Sequence, residues 1–558
     1  MRNSTRSNDL STASHCRALE QRDAPELTGV GGGSRVARVT KRTAFAAFLS
    51  GWSSGKPYVG LLVWPQCNLA ERGNGMPRVS RQLGRYSAVI LLICSGQFLC
   101  AEEPSARWSQ FRGPNASGVV ENGGRLPDEI GPEQHVVWKK ELPPGHSSPA
   151  VVGDRIYLTA VTGTKLQTLA LDRPTGEILW QREVTCETLE EIHRIGSHAQ
   201  ASPAADEDLV ISFFGSYGLL AYDREGTRLW ERRLGPFKNN FGAGSSPILA
   251  GDWVILNQDH DIDSFLTAID KRTGDTIWKT ERAEFARGYS TPILWNNQGQ
   301  RQIVVAGSLR VVGYDLKSGN EAWTVHGLSR ICNMTPVEGS DGTLYVAGWT
   351  SGGDDTDRIV ADPLEELLAN SDANKDGLLQ RDELPEGGGV KRRFNQIDRD
   401  KSGAITPAEY NWMRNIFHSA QNAVVAIRPG GSGDITASHV LWTERKHLPY
   451  VPSPVYYNQH LYMVKNGGIV ACLDAATGDV ARVGRAKASG QYYSSPVIAD
   501  GKLFVISQRG ELTVMTAEPN WEILSTAVFG EDIYATPAIV DDRIYLRTHS
   551  QLYCFGLE

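Results

Sequence analysis

The stretch Ser148-Pro-Ala-Val-Val-Gly-Asp-Arg-Ile-Tyr-Leu158 holds a small hydroxyl residue before Pro, a short apolar run, a Gly-Asp turn and a second run of β-branched and aromatic residues. Two such runs around a tight turn are the signature of a β-hairpin. Ser495-Pro-Val-Ile-Ala-Asp-Gly-Lys-Leu-Phe-Val505 has the same layout. The step recurs with Pro at 149, 203, 247, 292, 336, 454, 496 and 537, so the gaps are 54, 44, 45, 44, 118, 42 and 41 residues. A period near 42 marks a repeat architecture.

Each hairpin is followed by a second strand pair, clearest in Leu169-Ala-Leu-Asp-Arg-Pro-Thr-Gly-Glu-Ile-Leu-Trp180. Ala268-Ile-Asp270 through Gly274 to Trp278 and Gly313-Tyr-Asp315 through Gly319 to Trp323 echo it. Four strands per repeat predict an all-β fold, an eight-bladed β-propeller of four-stranded antiparallel blades. The eighth unit stops at its third strand, Leu552-Tyr-Cys-Phe-Gly556, and Val136-Val-Trp-Lys-Lys-Glu-Leu142 supplies a spare fourth-strand pattern. The two chain regions are therefore expected to share one blade and leave no open edge.

The Ala-x-Asp-x-x-x-Gly-x-x-x-Trp pattern resembles the tryptophan-docking motif of the pyrroloquinoline quinone (PQQ) repeat propellers. The opening Trp108-Ser-Gln-Phe-Arg-Gly-Pro114 is similar to the start of exported PQQ-like propellers. The motif decays in the later units: Arg482 stands where Trp is expected, and the seventh unit keeps only Trp521. The Trp residues read as structural, each bridging to the next blade with its indole N–H on a backbone carbonyl.

The 118-residue gap exceeds the period by about 75 residues. Within it lie Asp372-Ala-Asn-Lys-Asp-Gly-Leu-Leu-Gln-Arg-Asp-Glu383 and Asp398-Arg-Asp-Lys-Ser-Gly-Ala-Ile-Thr-Pro-Ala-Glu409, two 12-residue EF-hand loops. Positions 1, 3 and 5 offer the oxygens of Asp372, Asn374 and Asp376, and of Asp398, Asp400 and Ser402. The carbonyls of Leu378 and Ala404 follow, then Gln380 and Thr406 through water, and Glu383 and Glu409 close each shell with two oxygens. Hard oxygen donors in a flexible cage select Ca²⁺, so two calcium sites are expected. Leu379 and Ile405 fit the short strand through which paired loops touch, and helices are expected around Pro363–Ala369 and Ala408–Phe417.

In a propeller the connections before the first strand and after the second open on one face, so the insert shares a face with the residues just ahead of each Pro step. These include His146, His198, Arg287, Tyr289, Asn333, Tyr450, Tyr492, Tyr493 and Tyr534, joined by Asp259, His260 and Asp261 of the third unit. Such a ring suits a small ligand or peptide, or is a hydrated channel mouth. His260 with Asp259 or Asp261 would be its acid/base pair.

The resemblance implies a further alternative, a quinoprotein dehydrogenase in which a calcium-bound quinone takes hydride from an alcohol with an Asp as base. Those enzymes carry two adjacent Cys against the cofactor; none of the 8 Cys here has a Cys neighbour, and no Cys-x-x-Cys-His haem site is present. PQQ is therefore not the favoured cofactor. Cys472 and Cys554 fall at small packing positions, and Cys186 and Cys332 are expected as free thiols.

At the N-terminus, Arg78, Arg81 and Arg85 precede the apolar run from Ser87 to Ala101, the layout of an export signal. The apolar run is too short to span a bilayer, although a disordered arm followed by a membrane anchor is the alternative. The division expected is an upstream extension at 1–75, a signal peptide at 76–101, propeller at 102–349, EF-hand pair at 350–421 and propeller at 422–558. Residues 102–558 carry 44 basic and 59 acidic side chains, which disfavours nucleic acid as a partner. The expectation is an exported, periplasmic or envelope binding or scaffold protein, non-catalytic and without a transmembrane helix once mature. It is similar to outer-membrane assembly propellers, with an envelope protein or peptide as partner.

Overall fold

The computed structural model describes residues 107–557. The extension at 1–75 and the signal at 76–101 lie outside the described residues. Eight four-stranded antiparallel blades form the propeller. Blade one comprises Ala150–Val152, Arg155–Thr162, Lys165–Asp172 and Ile178–Thr185 in chain order from the axis outward. First strands of successive blades pack on one another around the axis. Blade eight closes as the sequence predicts: Val136–Glu141 pairs antiparallel with Gln551–Phe555 and becomes the outer strand of the last sheet.

A bulge recurs where the third strand meets the fourth, and it explains the small residue of the motif. Ala170 lies opposite Trp180, Ala268 opposite Trp278, and Cys554 opposite Trp138. A small side chain there leaves room for the ring to lie across to the next blade. The indole N–H of Trp138 donates to Arg173 O (3.1 Å), Trp180 to Arg224 O (2.8 Å), Trp230 to Lys271 O (2.9 Å), Trp278 to Leu316 O (3.1 Å) and Trp442 to Ala475 O (3.0 Å). Each ring rests on the turn glycine of the neighbouring blade; a Cβ on Gly319, at φ 70°, would lie 2.4 Å from Trp278. All four described cysteines are free, and Cys332, Cys472 and Cys554 are buried.

Trp323 departs from the expectation. It is fully buried and donates to Gln302 Oε1 (2.7 Å), while Trp295 makes the bridge, donating to Gly342 O (2.9 Å). The cause lies in blade five, whose third-to-fourth connection sends Gly433–Asp434 back to pair parallel with the outer strand Glu321–His326 of blade four. That edge is covered, and Trp323 is sealed beneath it with Ile435. Between blades six and seven, Arg482 replaces the Trp, stacking on Trp521 (4.4 Å) and donating to its carbonyl (2.8 Å).

The segment after Arg107 runs through the axial channel. Trp108 pairs with Val151, Ser109 O accepts from Ala205 N, Asn115 Oδ1 accepts from Leu294 N, and Val119–Val120 pairs with Ile498 and Ala499. Arg112 is fully buried, donating to Pro454 O (2.6 Å), and burial pushes its guanidinium down to about 9.

The insert leaves blade five after Leu344–Gly348 and returns at Ala423–Ile427, and these two strands pair along their whole length. Asn422 pins its base, accepting from Thr350 N and donating to Thr350 O, both at 2.9 Å. Four helices, Leu364–Ser371, Gly389–Arg392, Phe394–Ile397 and Pro407–Ser419, surround their own core of Leu379, Phe394, Ile405, Met413 and Phe417.

Gly319 and Gly153 both have positive φ, but nothing lies within 4 Å of a Cβ at Gly153. Gly319→Ala is expected to cost about 1–3 kcal/mol more than Gly153→Ala, the difference being the clash with Trp278. Urea unfolding midpoints of the two variants measure it.

Candidate ligand cavity and EF-hand loops

The Ser/Thr of the Pro steps tie seven of the eight blade junctions, all but that between blades four and five. Ser148 N donates to Ser202 Oγ, Ser202 N to Ser246 Oγ, and Ser246 N to Thr291 Oγ1, each at 3.0 Å. Thr335 N donates to Ser453 Oγ, Ser453 N to Ser495 Oγ, and Ser495 N to Thr536 Oγ1, again at 3.0 Å. Thr536 N returns to Ser148 Oγ at 2.9 Å. The ring sets the residues just ahead of each step around the axis.

Above it lies a cavity of about 560 Å³, within the usual range for small-molecule sites. Phe111 of the channel segment lines it, with Ser148, Ser246, Ser453, Ser495 and Thr536 of the ring. Of the residues expected at the channel mouth, His146, Arg287, Tyr289, Asn333, Tyr450, Tyr493 and Tyr534 face it. His146 stacks on Tyr534 with ring centres 3.9 Å apart, and Asn333 donates to Tyr450 O (3.0 Å). Burial, followed by the charges of Arg547 and His549, pushes His146 down to about 3, so its ring is neutral at pH 7. The Tyr289 hydroxyl is buried without a partner, and burial raises its pKa above the ordinary tyrosine range.

Five expected residues lie elsewhere. Tyr492 points into the blade core and donates to Ala488 O (2.9 Å), because consecutive residues of extended chain face opposite ways and Tyr493 takes the cavity side. His198 turns back on its own loop, Nε2 lying 2.8 Å from Glu190 O. Asp259 is buried in a two-pronged ion pair with Arg282 (2.8 and 2.9 Å). His260 is buried against Phe237 (4.8 Å), neither ring nitrogen has a partner, and burial lowers its pKa. Asp261 is bound by Arg287. The acid/base pair read from this loop is therefore not assembled; its carboxylates hold arginines.

The sequence reading missed the residues that give the cavity its charge. Arg330, Arg392, Arg393 and Gln396 line it, the last three from the insert. With its amide oxygen facing Arg287, Gln396 accepts from Arg287 Nη2 at 2.8 Å and joins insert to propeller. Arg330 and Arg393 lie over the same ring, Phe417, at 5.5 and 5.3 Å. The adjacent pair Arg392-Arg393 in a short linker was the available signal.

The two acidic loops of the insert flank its rim residues in the chain. Leu379–Gln380 pairs antiparallel with Ala404–Ile405, bringing Leu379 opposite Ile405. Gly377 and Gly403 take φ 79° and 86°, the sharp bends of position 6. In the second loop Asp398, Asp400 and Glu409 offer carboxylate oxygens within 4.8 Å of one another, and Asp398 Oδ1 is buried with no hydrogen-bond partner. A buried, orphaned carboxylate oxygen aimed among acceptors fits a cation. Glu409 also forms the capping box of Pro407–Ser419 with Thr406, and Ser402 Oγ lies 2.9 Å from Ala404 O. In the first loop Asp372 accepts from Gly377 N (2.9 Å), Asp376 is bonded by Asn374 and Gln380, and Glu383 accepts from Ala373 N and Gln380 N. The Leu378 position therefore stands in a loop of the same form, its amide donating to Asp376 (2.8 Å).

Closed four-stranded blades joined by Trp-on-glycine contacts define a PQQ-like repeat propeller. The chain belongs to the family described as outer membrane protein assembly factor BamB, whose model matches residues 132–243, 236–348 and 466–556, more than half of the sequence. An EF-hand model matches residues 390–411, the second loop. No curated protein matches the chain. Among solved structures it is similar to BamB from Moraxella catarrhalis (14% identity, 76% of this chain and 99% of that chain, TM-score 0.47). It is also similar to a europium-containing methanol dehydrogenase (11%, 82% and 99%, 0.54) and to quinohemoprotein alcohol dehydrogenase from Comamonas testosteroni (12%, 81% and 80%, 0.49). At 11% identity the likeness to the methanol dehydrogenase is one of fold.

Because His146 is depressed in the folded state, the unfolded chain binds its proton first, and this residue's contribution to stability is lost as pH falls from about 6.5 toward 3. His146→Gln is expected to flatten the decline of the urea midpoint over that window relative to wild type.

Proposed function

We propose that the protein is an exported, non-catalytic binding or scaffold propeller whose ligand or peptide partner enters the axial cavity. Calcium in the loops 372–383 and 398–409 shapes the cavity rim. The observation that carries this reading is the wall itself: arginine, tyrosine, hydroxyl and amide groups converge, and no Asp or Glu is among the lining residues. Such a wall binds and orients. Its one imidazole, His146, is too weak a base for proton abstraction near neutrality.

A calcium-bound quinone acting on an alcohol needs anionic oxygens for its ion and a carboxylate base. The cavity's donor set does not fit that arrangement, since Asp259 and Asp261 are both committed to arginines. The EF-hand loops do fit calcium: Asp398, Asp400, Ser402, Ala404, Thr406 and Glu409 would hold one ion, and the corresponding first-loop residues from Asp372 to Glu383 a second. Membership of the BamB family supports an envelope setting, with an envelope protein or peptide as partner and peripheral association with outer-membrane machinery. Among the described residues no helix is long and apolar enough to cross a membrane.

Calorimetric titration is expected to give two calcium ions per chain and none in the Glu383→Ala, Glu409→Ala double variant; unchanged stoichiometry would refute the metal assignment. Incubation with PQQ and Ca²⁺ followed by a dye-linked alcohol assay is expected to give no turnover. Quinone-dependent oxidation would overturn the non-catalytic reading.

A further inference from the structure

The charge of the cavity is opposite to that of the protein. Residues 102–558 are strongly acidic, yet Arg287, Arg330, Arg392 and Arg393 line one cavity with no lining carboxylate. Asp261, behind the wall, balances only Arg287. Arg330 Nε is buried without a hydrogen-bond partner, and the Tyr289 hydroxyl on the same wall is also unpartnered. Burial, then the charges of Arg393 and Arg287, lower the Arg330 pKa; burial, then Arg392, lowers that of Arg393. Arg287, Arg330 and Arg393 are part-buried, and like charges gathered at a part-shielded wall, with an unused buried donor on Arg330, are favourable places for an anion.

Resting on the binding reading above, we propose that Arg330 of the propeller and Arg393 of the insert form an oxyanion site, with Arg287 as a third cation. It takes a small ligand bearing several carboxylates or a phosphate, and calcium in the loop 398–409 tightens it. The Tyr289, Tyr450, Tyr493 and Tyr534 rings give the ligand's body a flat apolar wall.

The link to calcium is structural. Arg393 caps, and Gln396 belongs to, the short helix Phe394–Ile397, which runs directly into Asp398, the first calcium ligand. Glu409, the last ligand, opens the helix Pro407–Ser419, whose Phe417 lies under both Arg330 and Arg393. Gln396 reaches Arg287, and Lys238 donates to Asn395 O (3.2 Å), so the segment is tied to the propeller as well as to the loop. An ion drawing Asp398 and Glu409 together fixes both elements that carry the arginine platform. The coupling is then reciprocal: an anion in the cavity raises calcium affinity by the same factor.

The test uses the full chain and benzene-1,3,5-tricarboxylate as probe, titrated calorimetrically at low salt with excess calcium and again with EGTA. Binding is expected to be at least fivefold tighter with calcium. Benzene-1,3,5-trimethanol, the neutral analogue, is expected not to bind. Arg330→Gln should weaken the probe at least tenfold in either condition. Arg393→Ala should weaken it and abolish the calcium effect while still binding two calcium ions, which shows that the insert is folded. Equal affinity with and without calcium, or an Arg393→Ala variant that binds the probe as wild type does, would overturn the proposal. Quinone-dependent turnover would instead sink the binding reading on which it rests, so the two failures are distinguishable.

Discussion

The structure depends on the hydroxyl-to-amide ring at the head of the first strands. From Ser148 to Thr291, and again from Thr335 through Thr536 back to Ser148, each backbone N–H donates to the hydroxyl of the next blade's Ser or Thr. The groups are buried, so each bond satisfies a backbone donor that would otherwise cost about 1–3 kcal/mol. The Pro that follows each hydroxyl residue has no N–H to satisfy. One short motif thus fixes the spacing of blades at the axis, while the Trp-on-glycine contacts fix it at the rim.

From that ring the cavity follows. Residues one or two positions ahead of each step inherit its symmetry and converge on the axis, which is why His146, Tyr289, Asn333, Tyr493 and Tyr534 share one wall despite lying far apart in sequence. The insert breaks the symmetry. It enters between two strands whose ladder is complete, so the blade keeps its pairing while one sector of the mouth acquires arginines that the repeat does not contain.

What could be read from sequence follows the range of the interaction. Blade number, closure through Val136–Glu141 and the EF-hand loops rest on local periodicity and fixed spacing, and they stand in the structure. Errors arise where a long-range partner decides. Tyr492 and Tyr493 differ by one residue of strand parity, which only the register settles. Trp323 has the full motif, yet the returning strand Gly433–Asp434 covers its edge and Trp295 takes over. Asp259 and His260 looked like chemistry because their arginine and aromatic neighbours are remote in the chain. Trp108-Ser-Gln-Phe-Arg-Gly-Pro114 carried a resemblance but no hint that it threads the channel, where Arg112 meets Pro454.

That threading, together with the shared eighth blade, sets the order in which the molecule can be completed. The segment Trp108–Val120 meets strands from blades one, two, four, five and seven, and Val136–Glu141 pairs with Gln551–Phe555 some four hundred residues later. The strand Val136–Glu141 therefore finds its partner last, the segment before it completes its contacts only when blade seven is in place, and the blades in between wait as an open arc with one unpaired end. Pairings of such sequence separation are slow to form and expose strand edges meanwhile. The clasp that makes the finished ring hard to open is thus the step on which its assembly waits.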